Sequence, residues 1–285
     1  MTSQLPWHFE AFREYLSYEV LKSAAAVLQI FENEIATPLN PKIQQMQDLL
    51  EFRTGKNSWI PKRSGSEDVN WDVEGDVYRN KGRLLTSMFV LEPKAFSEPP
   101  RVKLLPFGRA LANGLITEKA FYDFIISRFK YPHPAWEDNW NKWTQANREL
   151  YPLAFILQVL LALDASHPDA AILSTQEAAI HLFPVSNHVN VNAIAKSILD
   201  YRKTSQTVER TRSDEVDRKI NDIFGFLCIS GYTYFMPNGQ AIALNLRARH
   251  STERTFFERT RKGENRLQEI KTLVELVEKN HDRIS

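Results

Sequence analysis

Cysteine is nearly absent: Cys228 is the single one in 285 residues, which excludes a disulfide framework and any cysteine-rich zinc site. It sits between Gly225 and Ile229 in an apolar run, where a small buried hydrophobe is expected rather than a reactive thiol. Glycine and proline are sparse, at 10 and 14 residues, and the glycines never cluster. Fibrous, low-complexity and glycine-rich phosphate-loop classes are thereby excluded. No long hydrophobic run occurs either. The most apolar stretch, Tyr151 to Leu163, is thirteen residues long, whereas a membrane span needs about eighteen. The first twenty residues carry Glu10, Glu14 and Glu19 and no signal-peptide core, so a cytoplasmic protein without membrane contact is expected. Charge of one sign is also lacking: 36 Lys and Arg face 35 Asp and Glu, a net charge of +1. That balance names no partner, but nucleic-acid binding depends on where cations sit as much as on their total.

What is present suffices for real cores: 43% of residues are hydrophobic and 11% aromatic, over a length that fits one large or two modest domains. Apolar residues at three- and four-residue spacing predict helices over 7–18 and 20–33, then again over 43–52. A polar, turn-rich stretch over 53–69 reads as a long loop. A helix over 72–88 comes next, with the cationic run Arg79, Asn80, Lys81 and Arg83. Two β-type runs, 88–91 and 101–105, flank a proline-rich excursion, the order of a winged helix whose hairpin is the wing. Helices opening at Pro106 and at Ile116, with Thr117 as N-cap, complete this part. Pro132 and Pro134 bias Tyr131–Pro134 to an extended hinge.

The second half repeats the logic. The apolar helix 151–163 leads to Ser174 and Glu177, spaced as a capping box, and a helix through Leu182. A helix over 191–202 and another over 214–227 precede two β-type runs, 232–235 and 241–244, joined by Asn238-Gly239, a strong hairpin signal. The stretch from Ser251 to Ile284 reads as a helix with a stripe of Ile270, Leu273, Val274, Leu276 and Val277. The fold class expected is mainly α with small β-hairpins: tandem winged-helix modules plus connecting and C-terminal helices. Residues 1–130 would hold the N-terminal helical region and first module, and 131–285 the second module and C-terminal helix.

Chemistry-bearing clusters are few. The seven histidines (His8, His133, His167, His181, His188, His250 and His281) are scattered without metal-ligand spacing, and His181 reads as a core-edge residue. No Gly-x-Ser-x-Gly elbow occurs. Asp72, Glu74 and Asp76 before Glu92 and Lys94 formally resemble the acids and lysine of a metal-dependent nuclease, but Pro93 breaks the strand where both should be presented. Trp136, Trp140 and Trp143 fit a docked helix face better than a base-stacking platform.

Cation placement is more informative. Between Tyr201 and Arg266, thirteen basic residues accompany eight acidic ones, and most of the cations are Arg, suited to bidentate recognition of phosphate or guanine edges. Acids such as Glu215 and Asp217 are interspersed, so a solvated surface remains the plain alternative.

The segments from Gly82 to Leu91 (GRLLTSMFVL) and Leu104 to Ala112 (LLPFGRALA) share an order with later ones. These are the helix 151–163, Leu173 to Glu177 (LSTQE), Ile198 to Arg202 (ILDYR) and Arg218 to Phe226 with its hairpin. Over roughly residues 75–250 this pattern resembles the DNA-recognition half of type IIS restriction and nicking endonucleases of the AlwI and FokI kind. The resemblance implies tandem winged-helix modules that read a short duplex sequence, with a separate nuclease domain or subunit as partner. It therefore implies no catalytic residue and no cofactor in this chain, Mg²⁺ entering only with an attached nuclease domain.

On this reading the chain recognises double-stranded DNA, by sequence or base modification, within a restriction or defence endonuclease. Arg79, Asn80, Lys81 and Arg83 would be the readers of the first module. Arg212, Arg218, Lys219 and Asn221 would be those of the second, with Arg202, Lys203 and Arg210 as phosphate clamps. Two alternatives stand beside it. One is a protein–protein adaptor anchored by the three tryptophans, and the other a complete Mg²⁺-dependent nuclease using Asp72, Asp76, Glu92 and Lys94.

Overall fold

A computed structural model describes residues 7, 9, 13–37, 40–57, 59, 77–78, 81–96, 98–166, 171–187, 189–204, 214–245 and 261–282. The chain is mainly helical, with a small three-stranded antiparallel sheet. It divides into two compact units. The N-terminal unit is Glu10–Ile125 with His133–Asp138; the C-terminal unit is Met1–Phe9, Ile126–Pro132 and Asn139–Ser285.

In the N-terminal unit, α1 (Tyr18–Ile30) starts at Ser17, whose hydroxyl accepts from the Val20 N–H, and buries Leu21, Ala24, Ala25 and Leu28. Asn40 caps α2 (Pro41–Thr54), which has proline in its first turn and ends at Gly55 in the left-handed region, φ 64°. After α3 (Lys81–Ser87), α4 (Pro106–Ala112) and α5 (Glu118–Arg128) follow as expected, and the Thr117 hydroxyl accepts from Ala120 N at 3.3 Å.

Three departures from expectation stand out. Of the helix expected over 7–18, the described residues show a 3-10 turn, Arg13–Tyr15; residues 8 and 10–12 lie outside the described residues. Trp7 and Phe9 are non-helical and buried within the C-terminal unit. The Trp7 indole donates to the Val185 carbonyl at 2.8 Å and stacks on Phe183 at 4.7 Å, while Phe9 meets Phe129 and Phe226 edge-on. Of the helix expected over 72–88, Lys81–Ser87 is helical and residues 77–78 form a turn; 72–76 and 79–80 lie outside the described residues. The β-type runs 88–91 and 101–105 pair through single bridges instead of full strands.

Those bridges nevertheless define a connectivity. Leu91 pairs with Leu104, and Ile35 with Arg101. Glu92 N donates to Lys103 O at 2.8 Å and Leu105 N to Val90 O at 3.0 Å. On the other side, Asn33 N donates to Val102 O and Val102 N to Glu34 O. The last segment in sequence is therefore the middle one in space. Pro93, Pro99 and Pro100 supply no N–H donors, which keeps the ladder short.

The C-terminal unit builds the same arrangement with longer strands. Helix α6 (Glu137–Gln145) precedes α7 (Pro152–Ser166), which is mostly apolar and buried along Leu153–Leu160 and at Leu163. Strand β1 (Ile172–Ser174) runs into α8 (Thr175–Glu177) and a π-helical turn, Ala178–Leu182, where an ordinary helix was expected. Helices α9 (Val191–Thr204) and α10 (Asp214–Ile229) follow, then β2 (Thr233–Phe235) and β3 (Ala241–Leu244). The hairpin turns where Asn238-Gly239 predicts: Met236 N donates to Ala241 O at 2.8 Å, and Gly239 has φ 68°. Strand β3 lies between β1 and β2, antiparallel to both, with Leu173 opposite Ile242 and Phe235 opposite Ile242. Helix α11 (Arg261–Asp282) buries Ile270, Leu273, Val274 and Val277 but leaves Leu276 exposed, and Gln158 of α7 donates to its Glu278 at 3.0 Å. Tyr131, in the expected hinge, is instead pinned to Leu150 by two backbone hydrogen bonds of 2.7 and 3.1 Å. Cys228 is half-buried rather than fully buried, its sulfur 3.3 Å from the Thr233 hydroxyl.

The packing of the N-terminal unit can be tested at two positions. A Cβ added at Gly108 would sit 2.3 Å from the Val90 carbonyl oxygen, a backbone atom that cannot yield cheaply. Gly108→Ala should cost about 1–3 kcal/mol in a denaturant melt, and an unchanged midpoint would refute that close approach. His133 is 5% exposed, its Nδ1 accepts from Ala135 N at 3.2 Å, and it lies edge-on to Phe89 and Trp136. Burial pushes its imidazole down to about 3. The unfolded chain takes up that proton near pH 6.5, so the contribution is complete above about pH 6.5. It declines as pH falls toward 3, by about 1.4 kcal/mol per pH unit. His133→Gln should flatten that limb of the stability–pH curve; an identical slope in the variant would contradict the assignment.

Candidate nucleic-acid interface

In the C-terminal unit, strand β1, the start of α8 and the end of α9 meet at one carboxylate. Ser174, the last residue of β1, accepts from Glu177 N at 3.2 Å, and the Glu177 carboxylate accepts from Ser174 N at 2.9 Å, completing the capping box. The same carboxylate takes a two-pronged contact from Arg202 near the end of α9: Nε to Oε1 at 2.6 Å and Nη2 to Oε2 at 3.2 Å. Arg202 Nη2 also donates to the Ile172 carbonyl of β1. The Glu177 side chain is only 9% exposed and that of Arg202 28%.

Two further ties run along α9. Gln176 Nε2 donates to the Tyr201 hydroxyl at 2.8 Å, and the Ser197 hydroxyl lies 3.1 Å from His181 Nδ1. His181 also packs edge-on to Tyr201 at 5.4 Å, with its Nε2 buried and without a hydrogen-bond partner among the described residues. Burial lowers its pKa, and the nearby Glu177 charge works in the opposite direction. Ala195 and Ile198 form the buried side of α9. The helix is therefore tied by side chains to the β1–α8 junction and to the π-helical turn that follows it.

The residues expected to contact DNA fall into distinct environments. Arg202 corrects its expected role as a phosphate clamp: its guanidinium is committed to three internal acceptors and positions α9. Lys203, its neighbour, is exposed and 3.2 Å from Asp200. On α10, Arg218 is exposed and pairs with no described acidic residue. Lys219 is folded down, its side chain 13% exposed and its ammonium 2.7 Å from Glu215. Asn221 is half-buried. In the N-terminal unit, Lys81 and Arg83 are half-buried on α3, with the Lys81 ammonium 5.4 Å from the centre of the Tyr15 ring. Arg79, Asn80, Arg210 and Arg212 lie outside the described residues.

The alternative sites resolve similarly. Trp143 is fully buried and Trp136 nearly so, whereas Trp140 is 38% exposed, so the three rings do not form one exposed stacking platform. Glu92, a carboxylate of the nuclease reading, pairs with Lys103 at 2.8 Å across the short N-terminal ladder; Asp72 and Asp76 lie outside the described residues. Among the described residues no group of three or more His, Cys, Asp or Glu could hold a metal ion, and no helix is long and apolar enough to cross a membrane.

Sequence reasoning missed the roles of Glu177 toward Arg202 and of Gln176 toward Tyr201. The capping-box spacing announces Glu177, but nothing local announces a partner 25 residues away.

A mainly helical chain whose two units each close on a small antiparallel ladder defines the class. No protein-family model matches the chain, and no curated protein matches it. A solved structure with a similar fold is the BpuJ1 endonuclease binding domain, determined in complex with pyrene- and phenanthrene-modified DNA. The similarity covers 90% of this chain and 91% of that one, at a TM-score of 0.56 and 13% identity, so the likeness is one of fold.

Arg202→Ala would leave a nearly buried carboxylate without its counter-charge and should cost roughly 2–3 kcal/mol, between the limits for exposed and buried ion pairs. Lys203→Ala, one residue on, should change stability by less than about 0.5 kcal/mol. Equal thermal shifts for the two variants would contradict the division between a positioning and a surface cation.

Proposed function

We propose that this chain is a double-stranded DNA recognition module of a restriction or defence endonuclease, built from tandem winged helices. The observation that carries the reading is the fold shared, over nine-tenths of both chains, with an endonuclease binding domain determined on DNA. The repeated connectivity supports it. In each unit a helix leads to an edge segment, further helices follow, and a hairpin returns its last segment to the middle of the ladder. Such a unit can set a helix in a groove with a hairpin beside it, as the winged-helix reading requires.

Of the expected contact residues that are described, Lys203 and Arg218 are exposed and suited to phosphate oxygens, with Lys81 and Arg83 as contacts of the first module. Such contacts supply affinity rather than sequence. Chemistry on the bound duplex would come from a separate nuclease domain or subunit.

Fluorescence anisotropy with a labelled duplex tests this. With about four phosphates neutralised, affinity should fall roughly 100-fold between ~50 and ~200 mM salt, and Lys203→Ala should shallow the log–log slope by about one. Binding that is absent at low salt, or indifferent to salt, would overturn DNA recognition and favour a protein-docking role.

A further inference from the structure

Resting on that reading of the fold, we propose that α9, rather than the arginine-bearing α10, is the base-reading helix of the C-terminal unit, through Asn192 and Lys196. Neither residue stands out in the cation count, yet three observations converge on them.

The first is exposure. Asn192, Lys196, Asp200 and Lys203 are all exposed and recur at i, i+4, i+8 and i+11, which places them in one narrow stripe on the helix. At 1.5 Å per residue the stripe is about 16 Å long, enough to traverse a major groove about 12 Å wide. Among the described residues neither the Asn192 amide nor the Lys196 ammonium is used inside the protein.

The second is rigidity. The contacts of Arg202, Tyr201 and Ser197 with Glu177, Gln176 and His181, together with buried Ala195 and Ile198, fix the rotation of α9. A helix that reads bases must hold its side chains in register, and ties made on its other sides do this without consuming the exposed stripe.

The third is charge. The α9 stripe has two lysines and one aspartate. Helix α10 carries Asp214, Glu215, Asp217 and Asp222 against Arg218 and Lys219, and Lys219 is already folded onto Glu215. A helix with twice as many acids as cations is repelled by the phosphates lining a groove, whereas α9 is attracted. Asn192 suits the N6/N7 edge of adenine and Lys196 the O6/N7 edge of guanine. Arg218 then serves at a phosphate, beside the groove.

Selection from a randomised duplex pool separates these roles. The wild-type chain should enrich a defined sequence. Asn192→Ala and Lys196→Ala should each lose about 5- to 150-fold of discrimination at one base pair, with thermal midpoints unchanged because both sites are exposed. Arg218→Ala and Asn221→Ala should keep the enriched sequence, Arg218→Ala binding every duplex more weakly. Altered base preference in either α10 variant, or an unaltered one in both α9 variants, would overturn the assignment while leaving DNA recognition standing. Salt-dependent binding without any enrichment would overturn base reading by α9 alone, and no duplex binding at all would remove the functional reading with it.

Discussion

A carboxylate removed from water must be met by donors or it destabilises the fold that holds it, and Glu177 is met from two directions. The backbone of Ser174 satisfies it from the end of β1, and the guanidinium of Arg202 satisfies it from the end of α9. One side chain thereby sets where a strand stops, where a helix starts and how a second helix lies beside both. The contact with the Ile172 carbonyl extends the same clamp into the strand. Because these demands fall on the protein-facing sides of α9, its solvent-facing stripe takes no part in them. The placement of Asn192 and Lys196 depends on an ion pair at the other end of the helix.

The two units solve one topological problem with different economy. Each returns its last extended segment between two earlier ones, but the N-terminal ladder is reduced to single bridges where prolines withhold donors, while the C-terminal one is a three-stranded sheet. Glycine is required where the short ladder meets a helix: Gly108 lies so close to Val90 that a side chain has no room. The mostly apolar α7 plays the corresponding part in the C-terminal unit, supplying the buried surface against which β1, β3, α9 and α11 pack.

Features set by neighbours along the chain are legible in the sequence itself. The Ser174–Glu177 box, the Asn238-Gly239 turn, the Thr117 cap and, Leu276 apart, the apolar stripe of α11 appear where their spacing places them. Features set by distant partners are not. The periodicity of residues 7–18 suggests a helix, but Trp7 and Phe9 gain more by packing against Phe183, Phe129 and Phe226 than by continuing one. A sum of cations over 201–266 treats Arg202, Lys219 and Arg218 alike, although one is clamped, one is folded onto its own helix and one is exposed. The sum also passes over Lys196, just outside its window, whose significance comes from the helix face it occupies. The likeness to the endonuclease binding domain is likewise one of fold, at 13% identity, rather than of particular residues.

Acetylation footprinting of the intact chain, read by mass spectrometry with and without a saturating duplex at low salt, bears most directly on recognition through α9. Lys196 and Lys203 should become several-fold less reactive on adding the duplex, while exposed Lys271 on α11 keeps its reactivity. Equal acetylation of Lys196 and Lys203 in the presence and absence of bound duplex would contradict it.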